Sequence, residues 1–183
     1  MTSVTEPSPS PAARPHWLRV VLVGRRPRHT LIRILVLAAV SFVTFKFALL
    51  PVRVTGISME PTCHNHAVNF INRLAYLGHA PRRGDIIGIW MAEGDSLSTP
   101  SEMLMKRIIA LPGETVSFHN GVTYVNHAPL RELYLKFSCD WEAGPFVCSP
   151  NEYYVVGDNR SMPFTLHTQG RAERERVIGK LLL

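Results

Sequence analysis

The sequence predicts a mainly β domain with a coiled or barrel-like sheet, preceded by one N-terminal transmembrane helix. Three observations carry that class. Residues 31–50, LIRILVLAAVSFVTFKFALL, are apolar all round rather than along one stripe. After position 51 no long helical period appears, and short apolar or alternating runs recur between glycine, proline and charge. Between two such runs stands His119-Asn120-Gly121, and an Asn-Gly there is a strong hairpin signal.

Residues 1–30 read as a disordered, basic, cytoplasmic tail. Proline and serine dominate the first fifteen positions, too polar a composition to bury a core. Of the formal net charge of +6, much is local: Arg14, Arg19, Arg25, Arg26 and Arg28 face a single acid, Glu6. Binding of nucleic acid would need a basic face with aromatic or groove-entering elements, and none is visible, so no nucleic-acid partner is expected.

The span 31–50 rises about 30 Å as a helix, one hydrocarbon thickness, which makes the lipid bilayer a partner. Arg33 and Lys46 lie toward its ends, where long side chains snorkel to the interface. Pro51 is expected to stop the helix. No small-x-small cleavage site follows, so the segment reads as a retained anchor. Arg25, Arg26 and Arg28 before it outweigh Arg53 after it, which favours a cytoplasmic N-terminus and a single pass. Residues 51–183 then form an extracytoplasmic β-rich domain. In a bacterium that is the outer, periplasmic face of the inner membrane, where disulfides persist.

The expected strands are Ala67 to Leu74, Asp85 to Trp90, Met103 to Ala110, Thr115 to Phe118, Val122 to Asn126 and Glu152 to Val156. Gly94 to Ser101 reads as a loop. Cys63-His64-Asn65-His66 has no second ligand pair at suitable spacing, so it reads as a turn, and no metal or cofactor is expected. Cys139 and Cys148 flank a short loop with Gly144 and Pro145. A disulfide between them and two free thiols both stay open.

The chemistry centres on Thr-Gly-Ile-Ser-Met-Glu-Pro-Thr at 55–62. Ser58 is the candidate nucleophile and Lys106 its candidate base. A serine hydroxyl needs a neighbouring base to take its proton, and a lysine serves only when neutral near pH 7. Burial in an apolar pocket lowers a lysine pKa. In a strand, Leu104, Lys106 and Ile108 share one face, a suitable wall for a desolvated amine.

Four stretches line up in order: Gly-Ile-Ser-Met-Glu-Pro-Thr at 56–62, Arg-Arg-Gly-Asp-Ile-Ile at 82–87, Lys-Arg-Ile-Ile-Ala-Leu-Pro-Gly-Glu at 106–114 and Gly-Asp-Asn-Arg-Ser at 157–161. With the N-terminal span, they resemble the type I signal peptidase family. The resemblance implies a membrane-bound serine endopeptidase with a Ser58–Lys106 dyad. It implies as substrates precursor proteins with signal peptides, cut after a small-x-small motif. Carried over residue by residue, Met59 resembles a cleft-lining residue beside the nucleophile. Leu104 and Met105 fall in the substrate-binding strand. The Ser58 backbone N–H would hold the oxyanion, and Gly56 stands where some members carry a second, hydroxyl donor. Arg107 and Asp158 resemble a structural pair near the site.

One departure follows Arg160. The family often has a lysine-orienting serine and an acidic run there; this chain has Pro163 and Thr165-Leu166-His167. Pro163 offers no donor, which leaves Ser161 and Thr165 as the nearby hydroxyls. Pilin-maturing peptidases of conjugative transfer share this chemistry with another substrate. A catalytically impaired, membrane-anchored β-module that binds partners is the reading from a different class.

Overall fold

The computed structural model describes residues 27–90, 103–167 and 169–182. Residues 1–26 of the expected disordered tail and the expected loop from Gly94 to Ser101 lie outside them, while residues 27–30, expected to be part of that tail, are already helical. The chain divides into two units, Met1–Val43 and Thr44–Leu183.

In the first unit, helix α1 spans Pro27–Val43. Proline suits the opening position, because the first helical N–H has no intrahelical acceptor to lose. Leucine, isoleucine and alanine then carry the helix with no internal glycine. Helical residues Arg28–Ala48 have a mean hydropathy of 2.0, and none of the apolar stretch is buried within the protein. By length and composition it can cross a membrane.

The helix does not run on to Leu50. Thr44–Ala48 is a π-helical turn, and Leu49–Arg53 is already strand β1. Pro51 sits inside that strand, opposite Phe70. It is tolerated because β1 is an edge strand, whose outer side needs no donor. The strand is hidden in the sequence because Leu49 and Leu50 extend the apolar run of the helix without a break.

The second unit is mainly β, as expected, and its described strands form two antiparallel sheets. Strands β2 to β6 are Val68–Asn72, Ile86–Trp90, Met103–Ala110, Thr115–His119 and Val122–Val125. Ala128–Pro129, Ala143–Val147, Glu152–Val156, Gly170–Glu173 and Val177–Leu182 are β7 to β11. The larger sheet runs β1-β2-β11-β3-β4-β9-β10, and the smaller β7-β6-β5-β8. The Asn-Gly hairpin is present: Asn120 and Gly121 both have positive φ, 49° and 75°, and His119 pairs with Val122. Both central residues with positive φ are what a two-residue turn of this twist requires.

Strand β4 has no exposed face. Met105 packs on one side with Val52, Val54, Met59 and Ile86. Ile108 packs on the other with Ile87, Ile89, Val155 and Ala172. A third core, with Phe118, Trp141 and Tyr154, lies against the smaller sheet. Gly88 opposes Met105, and a Cβ there would meet Ile71 Cδ1 at 2.4 Å. Its missing side chain lets Ile71 fill the first core.

The disulfide between Cys139 and Cys148 is not formed; both are free thiols, as is Cys63. Cys139 lies against the Gly121 turn, where a Cβ would meet its carbonyl oxygen at 2.0 Å. Cys148 lies at the other end of β5, its N–H donating to the Glu114 carbonyl at 2.9 Å. Strand β8 runs between them, and five extended residues cover about 17 Å. Disulfides need Cα atoms within about 7 Å.

Phe118 is fully buried, with ring centroids of Trp141, Phe164 and Tyr154 at 5.4, 5.8 and 6.2 Å. Phe118→Ala is expected to destabilise the β unit by about 3–5 kcal/mol. Urea unfolding followed by tryptophan fluorescence would measure it.

Candidate active site

Ser58 lies in the turn that follows β1. Gly56 makes the turn possible with φ +100°, a region other side chains rarely adopt. Its N–H donates to Asn65 Oδ1 at 3.1 Å, so the Cys63–His66 stretch acts as a turn that braces the loop. Lys106 lies midway along β4, opposite Ile87. Its Nζ is 2.7 Å from Ser58 Oγ, and the residue is only 2 % exposed.

Burial decides the state of this amine. It lowers the Lys106 pKa to about 8, against an opposing pull from the Asp158 carboxylate. A shift of that size disfavours the ammonium by about 3 kcal/mol relative to a solvated lysine. At pH 7 roughly one tenth of the chains then carry the free amine, enough to supply a base.

Asp158 would hold the lysine cationic if its charge were not taken up elsewhere. Its two carboxylate oxygens accept from Arg107 Nε and Nη2 at 2.8 and 2.6 Å. Thr62 Oγ1 donates a third bond at 2.5 Å. Arg107 also donates to the Gly84 carbonyl at 2.7 Å and stacks on the Tyr134 ring at 3.9 Å. Lys106 and Arg107 are sequence neighbours, yet the strand turns them to opposite faces. Both faces of β4 thus serve the site.

Several residues that hold the nucleophile escape a reading of the sequence. Asn159 N–H donates to the Ser58 carbonyl at 3.0 Å, and its side-chain amide to the Ile57 carbonyl at 3.1 Å. Gly157 makes that approach possible, since a Cβ there would meet the Ser58 carbonyl oxygen at 2.2 Å. Arg160 is fully buried; it donates to the Gly157 carbonyl at 2.9 Å and pairs with Glu132 at 2.6 Å. The Tyr134 hydroxyl donates to that same Glu132. Gly-Asp-Asn-Arg is visible as a motif, but its partners lie up to 102 residues away. Pattern and spacing do not report such contacts.

Neither nearby hydroxyl replaces the one missing at Pro163. Ser161 Oγ donates to Asn159 Oδ1 at 2.6 Å, and Thr165 is exposed. Cys63 is 2 % exposed and packs with Met59 as a small apolar residue. Burial, then the nearby Asp158 charge, pushes its thiol pKa up, so it stays protonated.

A cleft of about 360 Å³ opens beside the pair, with Gly56, Ser58, Met59, Leu104, Met105 and Lys106 in its lining. Of the sequence candidates, these six come together. Arg107 and Asp158 form their pair behind, and the two cysteines take no part.

A serine hydroxyl in contact with a desolvated lysine on a β scaffold is the arrangement of serine–lysine hydrolases. A family profile described as "Signal peptidase, peptidase S26" matches residues 28–183, and the chain belongs to that family. It is 34 % identical to a signal peptidase I of Leptolyngbya laminosa over 69 % of its length. It is 32 % identical to a probable signal peptidase I-2 of Synechocystis over 67 %. The chain spans 63 % and 56 % of those two relatives, less than two thirds of either. With a signal peptidase I of Bacillus amyloliquefaciens it shares 29 % identity over 87 % of this chain and 80 % of the relative. A solved signal peptidase I from Enterococcus faecalis is 25 % identical, covering 56 % of this chain and 97 % of that one, at a TM-score of 0.40.

Asp158→Asn should have two effects. It leaves Arg107 as an uncompensated buried cation, costing about 3–5 kcal/mol of stability in urea unfolding. It also removes the charge that raises the lysine pKa, so the Lys106 titration measured by NMR should move below about 8.

Proposed function

We propose that this chain is a membrane-anchored serine endopeptidase that removes signal peptides from exported precursor proteins, with Ser58 as nucleophile and Lys106 as general base. The observation that carries the reading is the 2.7 Å contact between Ser58 Oγ and a lysine whose pKa burial lowers to about 8. Family membership supports the substrate class, and the apolar helix supports anchoring. We place the N-terminus in the cytoplasm and the β unit on the outer face of the inner membrane, on the arginines before the span.

Substrate would bind as an added strand. Strand β4 pairs with β9 only from Arg107 onward, so, among the described residues, 103–106 present an unpaired edge on that side. Residues 52–56 line the same cleft as that edge. An extended peptide laid there gains main-chain hydrogen bonds, and its alternate side chains enter the cleft. Met59 and Met105, both nearly buried, fill the floor beside Ser58. On this reading they would limit the residue before the cut to a small side chain.

Neutral Lys106 takes the Ser58 proton as Oγ attacks the scissile carbonyl. The Ser58 N–H would hold the oxyanion. The Gly56 N–H is committed to Asn65, which leaves it unsuited as a second donor. The lysine then hands its proton to the departing amine, breaking the peptide bond and leaving an ester on Ser58. Water enters, Lys106 deprotonates it, and attack on the ester frees the enzyme.

The test is cleavage of a model secretory precursor by the detergent-solubilised protein. Cleavage after a small residue is expected, falling at least about 10⁴-fold in both Ser58→Ala and Lys106→Ala. Turnover that survives Ser58→Ala would sink the mechanism. An intact general precursor beside a processed pilin-type one would assign the dedicated substrate. Because the base must be neutral, kcat/KM should rise with pH and level off above about 8.

Gly157→Ala offers an independent check on positioning. A methyl group there must push back the Ser58 carbonyl, and a displacement near 1 Å costs about 10²-fold in rate. The expected drop is in kcat, with the fold retained by circular dichroism.

A further inference from the structure

Leu104 and Lys106 line a second cleft as well, of about 430 Å³. The two faces of β4 explain why there are two. Ile89 lies opposite Leu104, and Ile87 opposite Lys106, so these four share a face. Val155 and Ala172 pack in the same layer. Ile89, Val155 and Ala172 all belong to the lining of the second cleft. Met103, Met105 and Met59 belong to the first, on the other face. The unpaired edge of residues 103–106 thus has a methionine-lined cleft on one face and a different cleft on the other.

The second cleft differs in chemistry. Trp90, Phe146 and Phe164 make its walls aromatic, and Arg171 and Arg176 add two cations. Arg171 reaches its nearest acid, Glu152, only at 4.0 Å, with 57 % of its side chain exposed. Arg176 meets Glu173 at 3.3 Å, three residues away. Such exposed pairs neutralise little, so the cleft keeps a positive rim.

The geometry points to a subsite for the residue immediately before the cleaved one, which takes a large apolar or aromatic side chain and rejects a cation. The assignment rests on the peptidase reading above. Side chains of an extended peptide alternate between faces. The residue whose carbonyl is attacked and the one two before it enter the methionine-lined cleft. The residue between them must point to the opposite face, into the aromatic cleft. The middle position of a small-x-small motif is therefore read by this chain. Aromatic walls favour an aromatic ring, and the arginines repel lysine or arginine.

The experiment uses the full-length protein in neutral detergent and four precursors that differ only in x of an Ala-x-Ala site: Gly, Leu, Phe and Lys. The expected kcat/KM for Phe and Leu exceeds that for Gly by about fivefold, and Lys is the poorest. Phe164→Ala should bring the Phe:Gly ratio toward one. Phe164 also packs in a core, so the surface double variant Arg171→Glu, Arg176→Glu supplies a second readout, in which the Lys:Gly ratio should rise. A flat profile across x, with Ser58-dependent cleavage intact, overturns the subsite and leaves the peptidase standing. No cleavage of any precursor defeats both. A double variant that slows all four precursors equally, and only in phosphatidylglycerol vesicles, would assign the cleft to anionic lipid and overturn the subsite.

Discussion

The removal of water from the Lys106 amine is the constraint on which the site depends. A solvated lysine near pH 7 is a cation and cannot take a proton from serine. Strand β4 solves this by being buried on both faces. One face carries Ile87, Ile89 and Ile108 around the lysine. The other packs Met105 against Met59 and Val54. The same two layers that hold the larger sheet together therefore set the chemistry of its central side chain.

Desolvation alone would not suffice with a bare carboxylate nearby. Asp158 is fully buried and pulls the lysine toward its charged form. Arg107 answers by binding both carboxylate oxygens. The pair costs desolvation energy and is weak evidence for stability. Its use is structural: it ties β4 to the turn after β9. From that turn Asn159 grips the Ser58 and Ile57 carbonyls. Base and nucleophile are 48 residues apart in the chain and meet at 2.7 Å because one turn is bonded to both their elements.

How much of this can be read in the sequence follows from how local each feature is. Strands β4 and β9 are legible to the residue, because Met-Leu-Met-Lys-Arg-Ile-Ile-Ala and Glu-Tyr-Tyr-Val-Val are compact runs bounded by turns. The Asn-Gly turn is read from two residues. Strands β8 and β10 escape for the opposite reason. Ala-Gly-Pro-Phe-Val carries two strand breakers, and Gly-Arg-Ala-Glu buries only Ala172. Both are outer strands of their sheets, where weak propensity is tolerated. Ser58 and Lys106 can be named from motif and apolar flanks. Asn159, Thr62 and the Glu132–Tyr134 brace cannot, since their roles exist only through contacts across the fold.

Pro163 bears on what orients the lysine. The hydroxyl that the family often supplies at this position is absent, and Ser161 and Thr165 do not take its place. Among the described residues, what remains is packing and the serine itself. A hydroxyl can accept from an ammonium and donate to an amine. The Lys106–Ser58 contact therefore survives both protonation states, with only the proton changing sides. A third group that accepted from the ammonium would stabilise the charged form and raise the pKa. A lysine held by burial and one hydroxyl is closer to neutral for that reason. In a chain whose neighbouring Asp158 already pulls toward the cation, losing that extra partner works in favour of the base.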